Sequence, residues 1–379
     1  IHTPHLDRMV EHGVTHTHCT TPCPVSMPAR WSLHTGQYPT THGCYSNHHP
    51  GPKPKHSLPR LLSEAGYRTA LVGKNHSFLE AKDFDAFIEN PEIPEGSFRT
   101  ERMQWMNNRA EMYPRLAPEP VGGGIQADPD HIKTDRAVDF MSERDNRPFF
   151  VWLSYKHPHT PYRAPDPYFS MYQNADLPDP HLEDEDLRHA RKPFRQRFHQ
   201  ENNDAILPFT AEQIRMMRRV YYGQISLIDY EVGRLLAYLD RSGKSRDTLV
   251  VFTSDHGDYQ GDHGLLTKSP ALYDCLVRVP LIFYWPDGID RGRLDERFVS
   301  HIDLLPTFCE LAGAEVPNSV QGLSLLENLR DAGEGYPVRR AGFSEYGVPG
   351  QPYTPRRLRE EGLTDKKFMN PSGEPLPWE

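Results

Sequence analysis

The chain of 379 residues lacks several things that would direct it to particular functions. No stretch approaches the roughly 18 consecutive apolar residues of a membrane-crossing helix. There is no excess of basic charge: 43 Lys and Arg stand against 52 Asp and Glu, a net charge of -9. That removes the electrostatic footprint expected of a nucleic-acid binder. Cysteines number only five (Cys19, Cys23, Cys44, Cys275, Cys309), odd in count and without zinc spacing, so free and partly buried thiols are expected. No internal repeat and no low-complexity tract is present. No initiator Met or signal peptide opens the chain, and Ile1 reads as a point inside a domain.

What the chain has in quantity is histidine (20) and proline (36). Histidine at that density favours metal or acid–base chemistry, although most copies will serve packing or surface roles. Proline suggests long ordered loops. Hydrophobic residues make up 37% of the chain, enough to bury a substantial core.

Short β-branched and aromatic runs at Thr69 to Val72, Phe149 to Ser154, Thr248 to Thr253 and Pro280 to Tyr284 predict buried strands. Helical spacing predicts helices over Ser57 to Ala65, stopped by Gly66, over Thr210 to Leu239 as one long or two adjoining helices, and over Asp303 to Leu311. The alternation predicts an α/β fold with one large, mostly parallel sheet flanked by helices on both faces. Ser97 to Asp130, with Arg99, Arg102, Trp105, Arg109 and Arg115, reads as a surface insertion. So does the charged Ala164 to Pro208 stretch. The domain expectation is 1–320 for a catalytic unit and 321–379 for the beginning of a smaller C-terminal α+β subdomain, only partly present.

The most informative segment is Cys23-Pro-Val-Ser26-Met-Pro28-Ala-Arg30-Trp-Ser32-Leu33-His-Thr35-Gly36. Pro28 suits the first turn of a helix, and a helix N-terminus with a guanidinium nearby is a good anion site. Ser26 is therefore either a nucleophile facing a sulfate or phosphate, or simply the helix cap. Ser26-x-Pro28-x-Arg30 followed by Ser32-Leu33-x-Thr35-Gly36 resembles the signature of the sulfatase family, within the alkaline phosphatase superfamily. In that family the first residue is oxidised to formylglycine. Serine rather than cysteine resembles the bacterial type, matured by a radical enzyme. The resemblance implies a formylglycine-generating maturation enzyme as a partner. It also implies covalent catalysis by the aldehyde hydrate, where one hydroxyl attacks sulfur and the second allows the ester to collapse.

Three further segments match in order. Asp255-His256-Gly257 leaves an apolar strand and runs through Gly261, His263, Gly264 and Lys268. By resemblance, Asp255 and His256 join position 26 as metal ligands and Lys268 contacts sulfate, while His263 is structural. Gly73-Lys74-Asn75-His76 resembles the Gly-Lys-x-His element, although Asn75 stands where the family usually has Trp. There Lys74 would neutralise sulfate oxygens, and His76 would orient the diol or move protons. Pro158-His159-Thr160-Pro161 resembles the element whose histidine, here His159, protonates the leaving alcohol. His157 and His159 could instead be paired metal ligands. Asp229 and Asp303 read as helix or core polar residues.

The implied cofactor is one divalent cation, with Ca²⁺ favoured by the resemblance and Mg²⁺ or Mn²⁺ as alternatives. The family places a strand ending in paired aspartates ahead of Ile1, so those two ligands are expected outside this sequence, and Asp7 is no substitute. The expected substrate is a small-molecule or saccharide sulfate ester, with Trp105, Trp152, Tyr162 and the arginines of 99–115 suiting a sulfated sugar. The rival activity is hydrolysis of phosphonate monoesters or phosphodiesters. An inactive sulfatase-like binding protein and a histidine-rich binuclear hydrolase are further alternatives. The compartment stays open: periplasmic or secreted for a bacterial sulfatase, or cytoplasmic.

Overall fold

A computed structural model describes residues 1–47, 50–89, 116–117, 119–182, 210–268, 271–331 and 339–347. The arginine-rich part of the first insertion, including Trp105, lies outside the described residues. So do the acidic half of the second insertion and most of the expected C-terminal unit.

Eight strands are described: β1 (Val14–Thr20), β2 (Arg68–Gly73), β3 (Ala86–Ile88), β4 (Phe149–Ser154), β5 (Val250–Thr253), β6 (Arg278–Val279), β7 (Leu281–Tyr284) and β8 (Arg293–Ser300). They form two sheets. The smaller has the order β3-β2-β4 and is parallel throughout. In the larger, β1 runs antiparallel to β6 and β7 and parallel to β8, while β5 pairs antiparallel with β7. The expectation of one large, mostly parallel sheet is therefore corrected: the fold is α/β, but its larger sheet is mixed. A strand buried on both faces reads as the same apolar run in either direction, so the sequence pattern carries no sign of orientation.

The main helices are α1 (Pro4–Glu11), α2 (Ser26–Thr35), α3 (Leu58–Glu64), α4 (Pro129–Ser142), α5 (Ala211–Arg241) and α6 (Leu304–Ala312). The long helical pattern is a single helix, α5, opened by a capping box in which Thr210 Oγ1 accepts from the Gln213 backbone and Gln213 reaches back. Its Ile228, Val232 and Leu236 pack with Val250 and Phe252 of β5, and its Leu235 packs with Val151 and Leu153 of β4. On the opposite face, Phe150 and Trp152 of β4 and Leu249 and Val251 beside and within β5 pack on Leu33 of α2 and Leu304 and Leu305 of α6. The two sheets thus lie between the same helical layers, with β4 and β5 as end strands, each paired along one edge only among the described residues.

Asp229 caps α1 by accepting from the His5 and Leu6 amides, and Asp303 accepts from the Ser300 and Leu323 amides. The five cysteines are free, four of them buried. Among the described residues no helix is long and apolar enough to cross a membrane.

Candidate active site

The C-terminal ends of β2, β4 and β5 converge on the first turn of α2. Val25, in extended conformation, precedes that helix, and Ser26 is its first residue, with no side-chain cap bond. The cap reading of Ser26 is thereby removed. Its side chain is turned instead toward the strand ends. Ser26 Oγ lies 3.0 Å from His256 Nε2 and accepts from Lys74 Nζ at 3.3 Å. The His256 Nδ1–H group donates to the Gly257 carbonyl at 2.8 Å, which leaves Nε2 as the acceptor of the Ser26 hydroxyl.

Arg30, one turn further along α2, ties three segments together. Its Nε donates to Asp255 Oδ2 at 3.0 Å, and its Nη1 donates to the Lys74 carbonyl at 2.9 Å and to Ser154 Oγ at 2.8 Å. On the other side, Lys268 Nζ donates to His159 Nε2 at 3.0 Å, and His159 Nδ1 donates to the Thr160 carbonyl at 2.7 Å. His76 follows with a left-handed backbone (φ 44°), a costly conformation for a residue with a Cβ, and its buried Nδ1 has no hydrogen-bond partner among the described residues.

The electrostatics are strongly one-sided. Burial pushes Lys74 down to about 8, and the charges of Arg30, Lys268 and Lys156 act in the same direction against the pull of Asp255. Burial also drives His159 down to about 3, helped by Lys268, and His256 and His76 down to about 4. For Asp255, burial raises the carboxyl, but His256, Arg30, Lys74 and Lys268 outweigh it and hold the group well below the usual carboxylate range. Several cations thus surround one carboxylate, and local charge attracts an anion against the net charge of -9.

All the sequence-predicted residues (Ser26, Arg30, Lys74, His76, His159, Asp255, His256 and Lys268) lie around this point. His157 does not join them. It is buried, with Nε2 3.0 Å from Asp128 Oδ2 and Nδ1 accepting from Gln224 Nε2 at 2.8 Å, so its pairing with His159 as metal ligands does not occur. His263 stacks on Tyr273 with ring centroids 3.9 Å apart. Sequence reasoning missed Lys156 as a site cation and Ser154 as an Arg30 acceptor. It also missed Asp128 and Asp130, whose only signal is an Asp-Pro-Asp helix start.

Asp255, His256 and Ser26 fit a divalent cation as neighbouring donors. A neutral imidazole held by a carbonyl through Nδ1, with Nε2 free to coordinate, is the usual state of a metal-binding histidine. Asp255 Oδ1 stands 3.7 Å from that Nε2. Among the described residues, the one group of three His, Cys, Asp or Glu side chains close enough to hold an ion is a different one: Asp128, Asp130 and His157.

Residues 1–314 match the family described as Sulfatase. The chain belongs to the sulfatase family. It is an enzyme of that family, a hydrolase. This sulfatase is 32% identical over 370 residues to the multifunctional alkaline phosphatase superfamily protein PehA of Trinickia caryophylli, covering 87% of this chain and 71% of the relative. It is 26% identical over 390 residues to the N-acetylglucosamine-6-O-sulfatase of Bacteroides thetaiotaomicron, covering 88% and 67%. Among solved structures, the phosphonate monoester hydrolase of Silicibacter pomeroyi superposes with a TM-score of 0.74 at 25% identity, covering 95% of this chain and 78% of that one.

Proposed function

We propose that this sulfatase hydrolyses a sulfate monoester, with position 26 acting as formylglycine and one divalent cation, Ca²⁺ by preference, held by Asp255, His256 and residue 26. The observation that carries the reading is Ser26 Oγ seated between His256 Nε2 and Lys74 Nζ at the start of α2. In its oxidised and hydrated form, residue 26 would supply a nucleophile that can later release sulfate without water attacking the sulfate ester. The cation would supply Lewis acidity toward a sulfate oxygen and favour deprotonation of a hydroxyl beside it.

The chain's own groups support the rest of the cycle. Lys74 and Lys268 present ammonium groups to the oxygens of the bound sulfate and stabilise charge where it grows during S–O cleavage. Arg30 fixes Asp255 and the Lys74 backbone, so the charges are in place before substrate arrives. The leaving oxygen would take its proton from His159 Nε2 once that nitrogen has received it from the Lys268 ammonium, which donates to it at 3.0 Å and is left as the neutral amine. His76 would orient residue 26. A saccharide sulfate is the favoured substrate class, supported by the named activity of the Bacteroides relative.

A second reading, hydrolysis of a phosphonate monoester or phosphodiester, is favoured by the likeness to the Silicibacter hydrolase. These substrates share the single negative charge, so rates on 4-nitrophenyl sulfate and bis(4-nitrophenyl) phosphate distinguish the two. A preference for the diester by orders of magnitude reverses the choice. The modification itself is tested by mass spectrometry of the Ser26 peptide from protein made in a maturing bacterial host. Loss of two hydrogens is expected, and unmodified serine in fully active enzyme overturns the mechanism.

A further inference from the structure

Behind the loop that carries His159 lies a buried polar network with no part in the scheme so far. Asp130, in the first turn of α4, is 1% exposed. Its carboxylate accepts from the Lys156 amide at 3.0 Å and the His157 amide at 2.8 Å, the two residues that lead into Pro158-His159. Lys133, one turn along the same helix, donates to Asp130 Oδ1 at 2.6 Å. Asp128 and Gln224 grip the His157 ring from its two nitrogens, and Gln224 Nε2 also donates to the Arg163 carbonyl at 3.1 Å. The loop between residues 156 and 163 is thus fixed at its entry by Asp130 and at its exit by Gln224. His159 sits between those anchors, over a hollow lined by Pro129, Asp130, Lys156, His157, Pro161 and Arg163.

We propose that Asp130 is a positioning residue: by holding the amides of Lys156 and His157 from behind, it sets His159 Nε2 against Lys268 and the leaving oxygen. The inference rests on the reading of His159 as the proton donor. The Asp128, Asp130 and His157 ligand atoms lie within 4.8 Å of one another, close enough to hold an ion. The Lys133 ammonium already occupies the cation position on Asp130, and His157 is satisfied at both nitrogens by protein groups, so the network is complete without a metal.

A buried carboxylate that binds two backbone amides is replaced isosterically by Asn, which keeps an acceptor but turns donors toward Lys133. A group acting through His159 should matter in proportion to how much the leaving group needs a proton. The experiment compares matured full-length wild type, Asp130→Asn, His159→Ala, the double variant and Gln224→Met on 4-nitrophenyl sulfate and phenyl sulfate. Melting temperatures and metal content are measured on the same samples. Asp130→Asn is expected to lower kcat on phenyl sulfate about 30-fold and on 4-nitrophenyl sulfate no more than about 3-fold, less than the ~10²–10⁴ that a general acid contributes in full, because His159 itself is kept. KM should hold, and adding Asp130→Asn to His159→Ala should change little, because both act on one step.

Equal losses on the two substrates, losses that multiply in the double variant, or disappearance of one equivalent of metal in Asp130→Asn would overturn the proposal. If His159→Ala itself treats the two substrates alike, the reading of His159 fails, and the positioning role falls with it. If Asp130→Asn does not fold, Gln224→Met, which loosens the other end of the same loop, carries the same comparison.

Discussion

The ammonium of Lys268 donates to His159 Nε2 across 3.0 Å, while the other nitrogen of that ring is committed to the Thr160 carbonyl at 2.7 Å. The imidazole is therefore held in one tautomer, with its lone pair facing a cation. Removing one preorganised donor of this kind usually lowers kcat about 10²- to 10³-fold. Lys268→Met is expected to show such a loss on phenyl sulfate, measured by steady-state kinetics. A loss confined to KM would show that Lys268 only binds.

Arg30 makes directional contacts to Asp255, Ser154 and the Lys74 carbonyl that a lysine cannot reproduce from one nitrogen. Arg30→Lys is expected to destabilise the fold by about 1–3 kcal/mol through unsatisfied buried groups. Urea unfolding checks it. An unchanged midpoint would mean that the three segments are held together by other contacts.

Gly73 directly precedes Lys74 and has φ 105°, and a Cβ there would lie 2.1 Å from the Ser154 carbonyl oxygen. Gly66 also has positive φ (90°), but nothing lies within 4 Å of its added Cβ. Gly66→Ala should therefore cost about 1 kcal/mol from backbone conformation alone. Gly73→Ala should cost more than that and lower kcat as well, since the strand end must move with Lys74. Thermal melts and kinetics on the pair test the contrast, and equal effects would contradict it.

Burial pushes the His34 imidazole down to about 3, so the folded protein keeps it neutral where the unfolded chain protonates near 6.5. Its contribution to stability is intact above the unfolded value and is lost as pH falls from about 6.5 toward 3. His34→Phe should remove that dependence. Between pH 7 and pH 5 the wild type should lose about 2 kcal/mol more than the variant in urea unfolding. Parallel losses would show that His34 gains protons in the folded state.

Much of the candidate site was legible because its residues sit in short contiguous motifs. Ser26 and Arg30 are one helical turn apart, and Asp255 and His256 are adjacent at a strand end. Asp130, Lys156 and Gln224 were not legible. Each looks like an ordinary helix-start, loop or helix residue, and their meaning arises only when α4 and α5 meet behind the His159 loop. His157 shows the same limit from the other side. Its spacing to His159 invites a metal pair, yet Asp128 and Gln224 draw its ring away.

By itself, the sequence determined four of the strands (β2, β4, β5 and β7), three of the helices (α3, α5 and α6) and the candidate residues at positions 26, 74, 159, 255 and 268, which the structure brings to the strand ends. Apolar periodicity and local motifs act over a few residues, so one chain suffices to read them. Only the tertiary structure decided the mixed direction of the larger sheet, the turning of Ser26 from helix cap to site residue, and the choice of Asp130 as an anchor. Strand direction and buried hydrogen bonds depend on partners far away in sequence: β5 on β7, Lys156 on Asp130 and Arg30 on Asp255. Which distant groups meet is settled by packing the whole core at once.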